Sequence, residues 1–367
     1  MLTLAQPVFR ARSGGYFNHR IPALVATAEG SVLAFCAARY GIGDDWDTSD
    51  LVVRRSEDGG QRWGDVQVLA GDGKAPHDNA APIAARDGTV HLLYSAASSR
   101  LFYRRSLDDG LSFSEPREIT EVLEGFRDEY LWNVAVPAPG HGVELKSGRL
   151  LVPVWMSTGG LLHRPSAVAT IFSDDGGKSW RRGEMVCGDG VVKNPSESTA
   201  TQLSDGRVML VIRNETPRAQ RLLAFSADGA SGWETRFAPD LREPVCMGSL
   251  IRLDDSTLCY VGPNPPTQST QPWYGRTAPQ DSSSDLHAAP LERTHLSAWL
   301  SLDDGQSWQP PVLLDAGFGA YSDLTVGPDG TLLCLYESGA INGNMFDPQA
   351  LSLLRLDARG LKEGSTP

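Results

Sequence analysis

The sequence lacks the long apolar runs and the basic clusters that mark several large classes of protein. No stretch of it approaches the ~18–20 consecutive apolar residues of a membrane-spanning helix. No run of Lys and Arg interrupts a chain whose net charge is −12. This charge argues against nucleic acid or an anionic membrane surface as the main partner. The first residues have neither the basic head nor the apolar middle of a secretory signal.

Cysteine and histidine are also scarce. The five cysteines are an odd number and are scattered, and Cys36 and Cys334 lie inside apolar runs, where a free thiol behaves as a small hydrophobic group. The seven histidines are dispersed, so that no His/Cys cluster has the spacing of metal ligands. We therefore expect reduced thiols, a cytoplasmic location, and neither a metal nor an organic cofactor.

Helical periodicity over 10–12 residues is absent almost everywhere, whereas turn-forming residues are abundant. Gly 38 and Pro 24 together make 62 of the 367 residues. A hydrophobic fraction of 41% excludes wholesale disorder, and the length suffices for a sizeable core. The composition favours an all-β protein with many turns.

A short turn followed by a β-rich run recurs six times, which is the pattern of a β-hairpin. Five of the six turns have Gly before the apolar run, and the intervals between the turn residues are 58, 60, 58, 50 and 74. The turn residues are Gly30, Gly88, Gly148, Gly206, Ser256 and Gly330.

A second element, Ser-x-Asp-x-Gly-x-x-Trp/Phe, recurs in the first five repeats. It occupies residues 56–63, 106–113, 173–180, 226–233 and 301–308, with Ala230 in place of Gly in the fourth copy and only an echo at Asp357 in the sixth repeat. A calcium loop is excluded, because there is no series of alternating ligands and no closing Glu. These Asp boxes are better interpreted as turns in which the carboxylate accepts backbone amides.

Two hairpins in each repeat make a four-stranded sheet, and such sheets arranged radially form a propeller. The sequence therefore predicts a six-bladed β-propeller that occupies residues 1–367 as one domain. The irregular segment 265–292, which is rich in Pro, Ser and Gln, lies within the fifth repeat. A long loop of this kind is either a functional lid or merely mobile, and the sequence leaves both open.

Three arginines stand at comparable strand ends of repeats one, four and five: Arg20, Arg213 and Arg293. A single such Arg is most often a surface charge. Three that converge would repel one another unless an anion or a flanking carboxylate compensates them. Planar guanidinium groups suit a carboxylate ligand.

The chain resembles the exo-α-sialidases (neuraminidases) of the bacterial and animal type along its whole length. Arg20-Ile21-Pro22 and Arg39 are similar to their first repeat, and Pro139-Gly140-His141-Gly142 to their third. Ser196-Glu197-Ser198 and Ala320-Tyr321-Ser322-Asp323 are similar to the strands that carry their base and their tyrosine. The resemblance implies that Arg20, Arg213 and Arg293 bind the substrate carboxylate. It also places Arg39 and Glu337 among the substrate-binding residues, with Glu337 holding Arg20. It further implies that Tyr321 is the nucleophile and Glu197 its base, in keeping with the tyrosine nucleophile of sialidases.

The general acid implied by the resemblance lies a few residues after Arg39, in a loop with four carboxylates. This points to Asp44, with Asp45 as the alternative because loop alignments slip easily by one residue. A merely solvated acidic loop is the structural alternative.

Departures from the family pattern leave the substrate open. Cys36-Ala37-Ala38 precedes Arg39 where Glu is common, and two extra residues separate Asn194 from Glu197. We expect a retaining hydrolase that acts on oligosaccharides capped with sialic acid, or with the related acids Kdn or Kdo. A glycan-binding propeller without turnover is the rival from another class, and a transferase or intramolecular lyase is a further variant. The oligomeric state is left open.

Overall fold

The computed structural model describes residues 5–159, 163–188, 190, 192–266 and 292–362. In these residues the chain forms 24 β-strands and two short helices, α1 (Glu121–Glu124) and α2 (Ala358–Lys362). The predicted all-β class is confirmed. No helix in the described ranges is long and apolar enough to cross a membrane. Most of the segment 265–292 predicted as a long loop, from 267 to 291, lies outside the described residues.

After strand β1 (Gln6–Arg10), four sheets follow one another along the chain, and the strands of each are antiparallel. The first sheet contains β2 (Asn18–Ala26), β3 (Val32–Arg39), β4 (Ser49–Ser56) and β5 (Gln67–Ala70). The second contains β6 (His77–Ala84), β7 (Val90–Ala96), β8 (Arg100–Ser106) and β9 (Arg117–Glu118). The third contains β10 (Val134–Pro137), β11 (Val143–Glu144), β12 (Leu150–Ser157), β13 (Ser166–Ser173) and β14 (Arg181–Cys187). The fourth contains β15 (Ser198–Gln202), β16 (Val208–Ile212), β17 (Gln220–Ser226) and β18 (Glu234–Arg242).

The last sheet is larger and has seven strands in the order β1-β24-β23-β22-β21-β20-β19. Its strands from the C-terminal part of the chain are β19 (Ser249–Arg252), β20 (Leu258–Pro263), β21 (Thr294–Ser301), β22 (Val312–Val326), β23 (Leu332–Ser338) and β24 (Ala350–Leu356). The 15-residue strand β22 pairs with β21 up to Phe318 and with β23 from Gly319 onward. Hydrogen bonding thus gives five sheets, and the count of six blades stays a prediction.

The sheets follow one another in a propeller-like arrangement that closes on itself. Strands of successive sheets contact one another, and β2 of the first sheet contacts β22 of the last. At this closure the Leu24 N–H donates to the Asp323 carboxylate at 2.7 Å. Strand β1 joins the other end of the same sheet by pairing with β24. Apolar side chains fill the spaces between neighbouring sheets, as Leu33 of β3 and Leu92 of β7 do.

The Asp boxes form the predicted turns. In all five, the Ser hydroxyl donates to the carboxylate of the Asp two residues later, at 2.7–3.2 Å. In the second box the Asp108 carboxylate also accepts the N–H of Ser112 at 2.9 Å. Gly110 has a φ of +79°, and a Cβ added there would lie 2.5 Å from Leu33 of the neighbouring sheet. Glycine is therefore required at that position both for its backbone angle and for packing.

Candidate active site

Three guanidinium groups surround the side chain of Tyr321 at the place where the leading strands meet. Cζ of Arg20 lies 5.4 Å from the centre of the Tyr321 ring, and Cζ of Arg293 lies 5.2 Å from it. Nη1 of Arg213 donates to the Tyr321 hydroxyl at 2.8 Å. All four side chains are buried. The structure thus brings the three arginines predicted from separate repeats around one tyrosine.

Irregularities in the strands turn these side chains toward one another. The register of β2 with β3 shifts between Arg20 and Ala23, where Ile21 has a φ of +61°. The register of β22 with β23 shifts between Gly319 and Ser322, which flank Tyr321. Such bulges reorient a side chain that regular pairing would point elsewhere, and they recur beside active sites.

Tyr321 and Glu197 form a hydrogen-bonded pair. The Tyr321 hydroxyl donates to one oxygen of the Glu197 carboxylate, and Arg213 pairs with the other oxygen. Burial raises the pKa of Tyr321 well above its ordinary value, against the opposing charges of Arg213 and Arg293. The phenol is therefore protonated at rest, with a carboxylate in place to receive its proton.

Glu337 holds Arg20 as the sequence predicted. Nε and Nη2 of Arg20 donate to the two carboxylate oxygens at 2.6 and 3.1 Å, and the Ile21 N–H donates to the same group at 3.1 Å. Both side chains are at most 3% exposed. A two-pronged pair of this kind fixes the plane of the guanidinium group as well as its position.

The two candidate acids differ in their surroundings. The Asp45 carboxylate accepts Nη2 of Arg39 at 2.9 Å and lies 4.0 Å from Nη1 of Arg20. The Asp44 carboxylate instead accepts the N–H of Trp46 at 3.1 Å, within its own turn. Burial alone would raise the pKa of Asp45, but the charges of Arg39 and Arg20 outweigh it and hold the pKa below its usual range. Of the two, Asp45 is the one joined to the arginines, and its side chain is still 28% exposed.

Residues 40–48, which contain Asp44 and Asp45, are called the acid loop. Hydrogen bonds between side chains and the backbone hold its conformation. Arg39 donates through Nη1 to the carbonyl of Gly43 at 2.6 Å, and the Gly43 N–H donates to the Asp47 carboxylate at 2.6 Å. Gly43 has a φ of +84°, and a Cβ there would meet the side-chain nitrogen of Asn18 at 2.5 Å. The loop conformation that presents Asp45 therefore depends on glycine at position 43.

Sequence reasoning missed several groups that line this region. Asp78 is buried in β6, and burial raises its pKa while the positive charge of Arg39 opposes that rise. Its signal in the sequence was a carboxylate at the polar start, His77-Asp78-Asn79, of a strand that is otherwise apolar from Ala80 onward. The Trp46 ring stacks on His163 with centroids 4.8 Å apart, and Asp45 and Glu197 act electrostatically on that histidine. No local pattern could have paired residues so far apart in the chain.

The described residues contain no group of three or more His, Cys, Asp or Glu side chains that could hold a metal ion. What they hold is a buried cluster of the Tyr321 hydroxyl, the Glu197 carboxylate and the three guanidinium groups. Such a site can bind a carboxylate and can activate a phenolic oxygen as a nucleophile.

Comparison with known proteins finds sialidases among the similar sequences. The chain is 30% identical over 89% of its length to the sialidase of Micromonospora viridifaciens, and it spans about half (50%) of that protein. It is 26% identical over 93% of its length to Sialidase-3 of Mus musculus, of which it covers 92%. The sequence resemblance to sialidases is thereby confirmed.

A solved structure, the Hadza microbial sialidase Hz136, matches 97% of the chain and 69% of its own with a TM-score of 0.76 at 21% identity. This likeness concerns the fold and supports the propeller-like arrangement. The family of BNR repeat-like domains matches residues 30–334. The chain therefore belongs to the family of BNR repeat-like domains.

Proposed function

We propose that this protein is a retaining exo-α-glycoside hydrolase that releases terminal sialic acid, or a close 2-keto-3-deoxy sugar acid, through a covalent tyrosyl intermediate. The observation that carries the proposal is the hydroxyl of Tyr321, bonded to Glu197 in the midst of three guanidinium groups. The names of the relatives support the substrate class, because the proteins from Micromonospora viridifaciens and Mus musculus are both named sialidases.

Arg20, Arg213 and Arg293 receive the substrate carboxylate in this proposal. The positive charges of the three guanidinium groups repel one another, and an incoming anion relieves that repulsion. Glu337 pairs with Arg20 at 2.6 Å, and Glu197 pairs with Arg213, so that carboxylates hold two of the guanidinium groups in place. Binding through the carboxylate puts the adjacent anomeric carbon beside the Tyr321 oxygen.

Tyr321 is the nucleophile. A carboxylate nucleophile would approach the negative substrate against charge repulsion, whereas a phenol is neutral until it reacts; sialidases are known to use tyrosine. As the phenolic oxygen bonds to the anomeric carbon, its proton passes to Glu197. The bond to the leaving oxygen breaks, and a general acid protonates that oxygen. Water then attacks the same carbon and gives a proton to the carboxylate that had protonated the leaving group, the bond to Tyr321 breaks, and the proton on Glu197 returns to the phenol.

The general acid comes from the loop after Arg39, and the geometry favours Asp45 over Asp44. Asp45 pairs with Arg39 at 2.9 Å and is partly open to solvent, whereas the Asp44 carboxylate accepts the N–H of Trp46. Before substrate binds, the arginine charges keep Asp45 ionised. A bound carboxylate offsets the charge of Arg20 and raises the pKa of Asp45, which prepares it to donate a proton.

The decisive experiment measures release of 4-methylumbelliferone from the α-glycosides of N-acetylneuraminic acid, Kdn and Kdo in parallel, with Tyr321→Phe as control. Turnover of the first substrate that the control abolishes is expected. Turnover of only the Kdn or Kdo glycoside would agree with the same mechanism and would identify that sugar acid as the substrate. If a folded protein turns over none of the three, the hydrolase proposal fails and a glycan-binding propeller takes its place.

Three further proposals accompany this function. The continuous strand β22 and its two pairing partners support division of the seven-stranded sheet into two blades, and hence a single six-bladed domain over residues 1–367. All five cysteines are free and buried, which supports a reducing compartment such as the cytoplasm. Oligosaccharides that end in sialic acid or a related acid are the proposed substrates.

A further inference from the structure

A buried ion pair that the proposed chemistry does not use lies directly behind the arginine site. Arg221, on β17, meets Glu243, the residue after β18, with Nη1 2.9 Å from Oε2. The two side chains are 2% and 0% exposed. Removing two charges from water is expensive, and replacement of such a pair by apolar residues is often neutral or stabilising. Stability alone is therefore a weak explanation for this pair.

The Glu243 carboxylate binds backbone on both sides of the pair. One oxygen accepts the N–H of Asn214, the residue after Arg213, at 3.0 Å. The other oxygen accepts the N–H of Val245 at 2.7 Å. Arg221 adds a hydrogen bond from Nη2 to the carbonyl of Cys246. The pair thus joins the backbone next to Arg213 to the connection formed by residues 243–248.

That connection contacts two other groups of the site. The Val245 carbonyl accepts Nη2 of Arg293 at 3.2 Å. Cys246 and Met247 pack with Tyr321 in one buried apolar cluster. Val245 is β-branched and has a φ of +56°, a conformation that persists only where the surroundings hold it. Glu243 and Arg221 are the groups that fix the backbone on either side of this residue.

We propose that Arg221 and Glu243 are positioning residues that set the distance between Arg213 and Arg293, and thereby the affinity of the site for the substrate carboxylate. The inference rests on the proposed function, because it requires that the arginines bind a carboxylate. A shift of about 1 Å in a positioning group can cost as much as a hundredfold in rate. Neither residue touches the substrate, so the effect falls on binding through the arginines.

The test compares wild type with Glu243→Gln and Arg221→Lys. The side-chain amide introduced by Glu243→Gln presents N–H to one of the two backbone donors, and lysine keeps the charge but cannot make both bonds of the guanidinium group. The probe is 2-deoxy-2,3-didehydro-N-acetylneuraminic acid, whose Kd is measured by calorimetry beside kcat and KM. We expect both variants to raise Kd and KM about tenfold, while kcat of Arg221→Lys changes less than Kd. Asp304→Asn is the matched control. It removes the ion pair between Arg252 of β19 and Asp304 of the fifth Asp box, whose atoms are 2.5 Å apart and whose side chains are 21% and 19% exposed, and it is expected to leave Kd unchanged.

A double variant, Arg221→Met with Glu243→Gln, separates positioning from stability. It removes both charges, so the melting temperature is expected to recover relative to Glu243→Gln while Kd stays raised. Recovery of Kd together with stability would overturn the inference. So would an unchanged Kd in folded Arg221→Lys, which decides the matter if Glu243→Gln does not fold. Absence of turnover and of probe binding in wild type is a different result, which refutes the proposed function itself.

Discussion

Asp323 offers the sharpest test of how the sheets are held together around the site. Its carboxylate is 1% exposed and accepts the N–H of Leu24 at 2.7 Å, the hydroxyl of Ser249 at 2.8 Å and the N–H of His141 at 2.9 Å. A fourth contact joins it to Nδ1 of His141 at 2.7 Å. These donors come from the first, third and last sheets, so that one side chain ties three sheets at the centre.

The perturbation is Asp323→Asn, which keeps the shape and removes the charge and one acceptor. Loss of one partner of a buried charged pair costs about 3–5 kcal/mol. With an unfolding entropy of ~2.1 cal/mol/K per residue over 367 residues, this corresponds to a fall in Tm of about 4–6 °C. Differential scanning calorimetry at pH 6 measures it. Asp255→Asn, at an exposed turn residue, is the control and is expected to change stability by less than about 0.5 kcal/mol.

The pH dependence of the same experiment has a definite sign. Burial alone would lower the pKa of His141, but the charge and hydrogen bond of Asp323 outweigh burial and raise it. A raised folded-state pKa contributes stability that is complete below the unfolded value of about 6.5 and is lost as pH rises through the folded value. The difference in Tm between wild type and Asp323→Asn should therefore be larger at pH 6 than at pH 9. A fall in Tm of less than about 1 °C, or an equal fall at both pH values, would refute the role assigned to Asp323 in joining the three sheets.

Three other predictions concern the site. Asp45→Asn should lower kcat about a hundredfold or more, whereas Asp44→Asn should stay within a few fold; steady-state assays of the pair decide between them, and the reverse order would restore Asp44. Glu337→Gln removes the anionic partner of Arg20 and should raise KM about tenfold or more. Circular dichroism shows whether the fold is intact. An unchanged KM would contradict the proposal that Glu337 positions Arg20 for the substrate carboxylate. Gly43→Ala forces a side chain into a left-handed backbone and should cost the acid loop about 1–2 kcal/mol, visible as a reduced kcat with little change in Tm; wild-type activity would contradict the described loop.

The repeats could be predicted from the sequence because their signals are local. An Asp box is a turn of a few residues, and its Ser, Asp and Gly act on one another, as Ser106 and Asp108 do. The arginines could be predicted because each stands at the end of a β-rich run, with Arg20 and Arg293 before such runs and Arg213 after one. The seven-stranded sheet differs from the repeat pattern, since β22 passes from one group of strands to the next without a break.

Local patterns in the sequence could not predict long-range pairings, and the pairings of Arg20 with Glu337 and of Tyr321 with Glu197 were predicted only through the family resemblance. The choice between Asp44 and Asp45 depends on which carboxylate the loop turns toward Arg39, and one residue of slippage reverses it. The sequence around Arg221 and around Glu243 gives no indication that the two side chains form an ion pair. Such contacts depend on how the sheets pack against one another. Neither the spacing of the repeats nor the alternation of apolar residues predicts them.

The ion pair between Arg20 and Glu337 has a consequence for biosynthesis, because its two residues lie 317 positions apart in the chain. At roughly 5–20 residues per second, the ribosome adds Glu337 about 15–65 s after Arg20. Throughout that interval the nascent chain holds an arginine without its carboxylate, and for most of it the tyrosine is also missing. Under the proposed function, a polypeptide interrupted before β22 and β23 lacks both Tyr321 and Glu337, and we expect it to have no hydrolase activity.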